Sequence, residues 1–169
     1  RESPRRLMIN KLDILLVGLN HKTAPVEIRE CIGFAEDESD QALHDLHALD
    51  AVREVILVST CNRVEVLATT PDKDAAARQI VTFLSEMNNI PAADFEGNLY
   101  QHAGDEAVRH MFRVAASLDS MVVGEPQILG QIKEAYRAAA TKRTSGVILN
   151  RLNVSVIAFK WYADVHYYP

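Results

Sequence analysis

Apolar positions follow two rhythms along this chain: short unbroken runs in the first part and helical spacing in the last third. Asp13 to Leu19 is a short apolar run ended by Gly18-Leu19-Asn20, which predicts a buried strand. Ser39 to Leu49 sets Ala42, Leu43, Leu46 and Leu49 at helical spacing. Glu54 to Thr60 and Val64 to Thr70 are two β-rich stretches with only Cys61-Asn62-Arg63 between them, which marks a tight hairpin. Pro71-Asp72 breaks the pattern before a second helix, in which Ala77, Ile80, Val81, Leu84 and Met87 line one face. Gly97 to His102 is a further strand candidate.

Strand, helix, strand, strand, helix, strand is the order of the split βαβ, ferredoxin-like plan. Residues 13–103 are therefore expected to form an α+β unit, preceded by a flexible tail at residues 1–12. Beyond it the pattern is wholly helical, with Asp105 to Leu118, Pro126 to Lys142 and a further start near Val147. Residues 104–152 read as a helical part of the same domain, and residues 153–169 as an atypical end rich in aromatics. Trp161 and the tyrosines near it are expected to pack on their own domain or on a second chain, because leaving them bare would create an exposed apolar patch.

Composition narrows the class. At 169 residues, 48% hydrophobic and 24% charged, the chain is long enough to bury a real core and too apolar for disorder. A formal charge of −5 argues against a general nucleic-acid coat, since phosphate neutralisation needs a basic surface, but leaves room for a local contact with an RNA end. The longest apolar runs fall far short of the roughly 20 residues that span a bilayer. The basic start, Arg1 to Arg6, is followed by no long apolar stretch and reads as a solvated tail. Two cysteines without a Cys-x-x-Cys pair suit a reducing compartment such as the cytoplasm.

Candidate chemistry gathers in three places. The block from Ser117 to Gln131 brings a hydroxyl, an acid and two amides to a turn entering a helix, an order that no repeating structure requires. Pro126 suits the first helical position, and Gln127 and Gln131 then stand one turn apart with Ser120 and Glu125 just upstream. They form either a polar recognition surface or a solvated helix start. Cys61 lies where the hairpin must turn; the cationic Arg63 would favour its thiolate, and Thr60, Asn62 and backbone N–H groups would orient a carbonyl or stabilise an oxyanion. Its bland alternative is a buried, inert thiol. His110 flanks the stripe of Val108, Met111, Phe112 and Ala115, an edge from which it would either reach a cleft or serve as a structural histidine. His44 and His47 share a helix face without a further ligand, so no metal site is expected. His21 belongs to a polar turn that either lines a pocket or is a plain loop.

Taken together, three blocks resemble one family, glutamyl-tRNA reductase, the first committed enzyme of tetrapyrrole synthesis by the five-carbon route. They are Gly18-Leu19-Asn20-His21-Lys22-Thr23-Ala24-Pro25, Ser59-Thr60-Cys61-Asn62-Arg63-Val64-Glu65, and Leu118 to Gln131, and they cover residues 13 to about 152 in the family's order and spacing. The resemblance implies that Cys61 is the nucleophile that takes glutamate from glutamyl-tRNA as a thioester, which the family reduces with NADPH to glutamate-1-semialdehyde. It further implies that Thr60, Asn62, Arg63, Ser120, Glu125, Pro126, Gln127 and Gln131 bind substrate, and that His110 is the activity-sensitive histidine. A basic Arg63 suits the glutamate carboxylate through charge-assisted hydrogen bonds.

The same resemblance implies a homodimer, an aminomutase partner for product transfer, and a cytoplasmic or, in a plant, plastid setting. The family carries NADPH on a separate Rossmann domain, and no Gly-x-Gly-x-x-Gly occurs anywhere in this sequence. The chain is accordingly expected to be the catalytic domain of a larger enzyme, competent alone only for ester hydrolysis. The rival expectations are a thiol hydrolase or acyl-transfer domain with a Cys61 and His110 dyad acting on another ester, and a purely structural interaction module.

Overall fold

The computed structural model describes residues 11–118 and 127–167, with side chains as far as Tyr162. Four strands, β1 (Asp13–Asn20), β2 (Glu54–Ser59), β3 (Arg63–Thr70) and β4 (Tyr100–Ala103), form one antiparallel sheet in the order β2-β3-β1-β4. With helices in both crossovers, this is the α+β, ferredoxin-like plan that the element order predicts. The first crossover holds two helices, α1 (Val26–Ile32) and α2 (Glu36–His47), and the second holds α3 (Lys73–Asn88). Three more follow the sheet: α4 (Asp105–Ala115), α5 (Gln127–Thr141) and α6 (Val147–Tyr167).

Both faces of the sheet are covered, which explains why its strands read as apolar runs and not as alternation. Leu15, Val17 and Leu19 of β1 point with Val64, Val66 and Ala68 of β3 into the layer of α1, α2 and α3. Leu16, Ile56 and Leu67 point the other way, onto Met111 of α4, Ile132 and Tyr136 of α5, and Leu149 and Val156 of α6. The helices that follow the βαββαβ unit thus return to the sheet and complete a second core.

Several boundaries differ from the sequence reading, each for a local reason. Helix α1 was not expected, because seven residues are too short to show a period and Val26 is exposed. Helix α2 starts three residues early, at Glu36, where the Glu38 carboxylate accepts the Ala35 N–H and three acids occupy the first turn. On α3 the buried face is Ala76, Ala77, Ile80, Phe83 and Leu84, whereas Val81 is half-buried and Met87 is exposed. Gly18 does not end β1 but lies inside it, and β4 begins at Tyr100 because Glu96–Asn98 is a 3-10 turn. Helix α4 stops at Ala115, not Leu118, in a Schellman motif: Ser117 takes φ 62°, its N–H donates to Val114 O, and the Leu118 N–H donates to Arg113 O.

Helix α6 runs unbroken through Asn153 to Tyr167, over a stretch with neither Gly nor Pro. The aromatic end packs on its own domain only in part, which leaves the second-chain alternative for the rest. Phe159 meets Phe112 edge to face at 5.1 Å, but Trp161 is 66% exposed.

A buried carboxylate fixes the start of α6. Glu54, on β2, accepts from Gly146 N at 2.6 Å and from Leu149 N at 3.1 Å through Oε1, while Thr69 Oγ1 donates to its Oε2 at 3.0 Å. The acid therefore satisfies orphan N–H groups at the positive end of a helix more than 90 residues away. Gly146 is needed there, since a Cβ would lie 2.9 Å from that same oxygen. Beside it, Thr144 covers the edge of β2, accepting from Val55 N and donating through its hydroxyl to Val55 O. Replacing Glu54 with Ala should destabilise the protein by about 2–4 kcal/mol, because three donors lose a charged acceptor in a buried place. Urea unfolding measures this, and a loss below about 0.5 kcal/mol, typical of surface changes, would contradict the role.

Candidate active site

The β2-β3 hairpin turns on Cys61 and Asn62. Neither takes the positive φ that tight hairpin turns commonly use. Thr60 compensates: its Oγ1 accepts from both Asn62 N and Arg63 N at 3.2 Å, while its own N–H donates to Arg63 O at 2.8 Å. The loop after β1 then braces the turn, with His21 N donating to Asn62 O at 2.9 Å. That loop is closed on itself by Asn20, whose Oδ1 accepts from Lys22 N and whose main-chain oxygen accepts from Ala24 N. His21 thus belongs to a buttress for the hairpin.

Cys61 is a free, exposed thiol, so its bland alternative as a buried residue does not hold. It lies on a narrow cleft of about 40 Å³ together with Thr60, Asn62, Arg63, Gln127, Ile128 and Gln131. Five of the eight expected substrate-binding residues therefore meet around the thiol, although the two glutamines come from α5, more than 60 residues away in sequence. Ser120, Glu125 and Pro126 lie outside the described residues.

Arg63 is not the bare cation the sequence suggested. It is 1% exposed, and its Nη1 donates to Glu65 Oε1 at 2.9 Å. Arg63 and Glu65 are two apart on β3 and so share one face of the sheet, the face under α4. His110 projects from α4 onto that face, 8% exposed and with Nε2 2.6 Å from the same Glu65 oxygen. This corrects its expected placing at an open helix edge; it is one of the buried residues of α4. The Tyr100 hydroxyl donates to Glu65 Oε1 as well.

Three side chains thus converge on one carboxylate oxygen, and a glycine makes this possible. Glu65, Gly18 and Tyr100 lie in one row across β3, β1 and β4, so Glu65 and Tyr100 start about 10 Å apart with only Gly18 between them. A Cβ on Gly18 would come within 2.7 Å of Glu65 Cγ. Without one, Tyr100 reaches over the gap. Rings of His102 and His110 lie tilted against each other with centroids 4.8 Å apart, and the Tyr100 ring lies 5.3 Å from each.

Burial by itself would push the Glu65 carboxyl upward, but the hydrogen bond and charge of His110, the charge of Arg63 and the Tyr100 hydroxyl outweigh it and hold it below its usual 4.5. An ionised carboxylate only accepts, so His110 Nε2 carries the hydrogen in that contact. Glu65, Tyr100 and Gly18 were not singled out from sequence. The signal available was an acid two places from an arginine in a strand apolar on both faces, where each charge must find a partner.

Because Glu65 is depressed in the folded state, its contribution is fully present above its unfolded value near 4.5 and is lost as pH falls through the lower folded value. Wild-type stability should therefore decline below about pH 4.5. A Glu65→Gln variant should lack that part of the decline and be weaker at neutral pH by about 3–5 kcal/mol, since Arg63 and His110 lose their partner. Urea unfolding across pH 3–7 tests both, and parallel pH profiles for the two proteins would refute the assignment.

The family described as glutamyl-tRNAGlu reductase, N-terminal domain, matches residues 17–160. Glutamyl-tRNA reductase of Desulfatibacillum aliphaticivorans is 55% identical over 141 residues, covering 83% of this chain and 32% of that protein. The enzyme of Geobacter sulfurreducens is 55% identical over 140 residues with the same coverage. Among solved structures, glutamyl-tRNA reductase from Methanopyrus kandleri superposes with a TM-score of 0.69 at 34% identity, over 90% of this chain and 34% of that one. The chain spans about a third of the length of these relatives. With the profile matched across most of its length and the same fold, the chain belongs to the glutamyl-tRNA reductase family, as its N-terminal domain.

Proposed function

We propose that this domain carries out the acyl-transfer half of glutamyl-tRNA reduction, with Cys61 as the nucleophile. The observation behind this reading is a free, exposed thiol on a braced hairpin turn, in a cleft that also holds Thr60, Asn62, Arg63, Gln127 and Gln131. The Cys61 thiolate attacks the ester carbonyl carbon of glutamyl-tRNA, forming a C–S bond. The C–O bond to the terminal ribose breaks, the ribose oxygen takes up a proton, and a thioester remains. Asn62, Gln127 and Gln131 supply amide groups around the acyl group, with Ser120, Glu125 and Pro126 assigned to the same task by family resemblance.

Arg63 borders this cleft as a buried residue whose guanidinium is paired with Glu65. His110 acts as a positioning residue: through Glu65 it fixes Arg63, and it is not among the residues lining the cleft. That arrangement disfavours the rival thiol hydrolase, whose dyad needs the His110 ring within reach of the sulfur.

In the whole enzyme the thioester is reduced with NADPH to glutamate-1-semialdehyde. The residues present here do not fit that cofactor. The sheet is antiparallel, without the parallel crevice that binds dinucleotides, and the sequence lacks the glycine-rich fingerprint. Water is then the acceptor available to this chain alone. Among the described residues no group of His, Cys, Asp or Glu gathers where a metal would bind, and no helix is long and apolar enough to cross a membrane. A cytoplasmic setting, a homodimer of the longer protein and transfer of product to an aminomutase belong to the same reading.

Mixing the chain with glutamyl-tRNA should give a covalent glutamyl adduct at Cys61, visible by mass spectrometry and followed by slow release of glutamate. Cys61→Ser should abolish the thioester while keeping the urea-unfolding midpoint. An adduct formed at the normal rate by the serine variant would defeat the assignment.

A further inference from the structure

A second cation stands beside Cys61 that none of the roles above uses. Arg29, on α1, reaches across to the hairpin, where its Nε donates to the Cys61 carbonyl at 3.1 Å and its Nη1 to the Ala24 carbonyl at 2.8 Å. Both acceptors are neutral. In contrast to Arg63, whose charge is met by Glu65, Arg29 has neither a carboxylate partner nor an acceptor for its Nη2 among the described residues. A half-buried guanidinium held by two carbonyls keeps its full charge and has already lost much of its rotamer freedom, so it is a preorganised receptor for an oxyanion.

Its surroundings say which oxyanion. Arg29 borders a depression of about 400 Å³ with Val26, Gly33, Phe34, Ser59 and Cys61. The wall is pinned, since Ser59 Oγ accepts from Phe34 N at 3.0 Å. This depression and the narrow cleft of Gln127 and Gln131 have only Thr60 and Cys61 in common, so the thiol stands on the ridge between two unequal spaces. Glu30 on the rim is the one acid of the lining and Arg29 its one cation. Without Arg29, the only charged side chain of this lining would be Glu30.

We propose that Arg29 binds a phosphodiester of the tRNA acceptor end, and that the depression in front of it receives the leaving-group half of the ester. The inference rests on the acyl-transfer reading. An ester attacked at the sulfur has an acyl half and an alcohol half, and the two extend from the reacting carbon in different directions. A cleft of about 40 Å³ has no room for a nucleoside, whereas 400 Å³ is within the range of ligand pockets. The guanidinium fork matches phosphate oxygens, and a phosphate contact carries a salt dependence that distinguishes it from recognition of the glutamate carboxylate.

The test compares acylation of Cys61 in the full chain by glutamyl-tRNA and by the α-methyl ester of glutamate, which has no phosphate, over a series of KCl concentrations. Arg29→Gln should slow the reaction with glutamyl-tRNA roughly tenfold at low salt, as expected for loss of a charge-assisted contact. It should also flatten the dependence of log rate on log salt by roughly 0.7–1, and slow the methyl ester much less. Arg29→Lys, which keeps the charge, should restore most of the salt slope. Equal losses with both esters, or an unchanged slope, would overturn the proposal by reducing Arg29 to a brace for the Cys61 turn or a contact to the carboxylate. If the wild-type chain were acylated by neither ester, the acyl-transfer reading would fail first, and this proposal with it.

Discussion

A carboxylate 1% exposed in the middle of a sheet is stable as an anion only if several donors reach it, and Glu65 meets that condition with three on one oxygen. Each donor comes from a different place: Arg63 from the same strand, Tyr100 from β4, His110 from α4. Satisfying the acid therefore fixes the register of β4 and the seat of α4 on the sheet, and it holds Arg63 at the base of the Cys61 turn. The site inherits its geometry from this convergence. Gly18 is the enabling residue, because any side chain there would fill the gap across which Tyr100 reaches.

The opposite end of the same face repeats the device. Glu54, paired in register with Thr69, binds the first N–H groups of α6 as Glu65 binds His110 of α4. Between the two acids the face is apolar, with Leu16, Ile56 and Leu67 under α4, α5 and α6. Burial of these residues supplies attraction without direction. The acids supply direction, since each accepts from one helix at one place. In this way α4 and α6 are located on the sheet, and α5, packed beside them on β2, delivers Gln127 and Gln131 to the cleft.

Much of this was legible from sequence, and the parts that were not share a cause. The sheet, the hairpin and α3 announce themselves by local pattern, as do Cys61 at the turn and the two glutamines one helical turn apart. What local pattern cannot express is a partner far along the chain. His110 flanks an apolar stripe and so reads as a surface residue; only the position of Glu65, 45 residues earlier, makes it a buried one. Arg63 reads as a free cation for the same reason. Helix α1 escaped because one face of seven residues carries too little period, and residues 153–169 read as an atypical end because their aromatics do not resemble the charged linker helix expected of the family.

The placing of the thiol follows from these constraints. A nucleophile on a helix or in a strand centre would be screened by neighbouring side chains, and one on a long loop would be poorly held. Cys61 avoids both by occupying a two-residue turn whose every side is tied: by Thr60 within the turn, by His21 from the loop after β1, and by Arg29 from α1. Two of these ties bind the carbonyls of Cys61 and Asn62, not their side chains. Backbone anchoring leaves the sulfur and the Asn62 amide free to face a substrate while the peptide that carries them stays fixed. On the proposed acyl-transfer reading, a rigid turn between a narrow polar cleft and a wider depression that holds Arg29 suits an ester with two unlike halves, since the reacting carbon must be held over the sulfur while each half finds its own side.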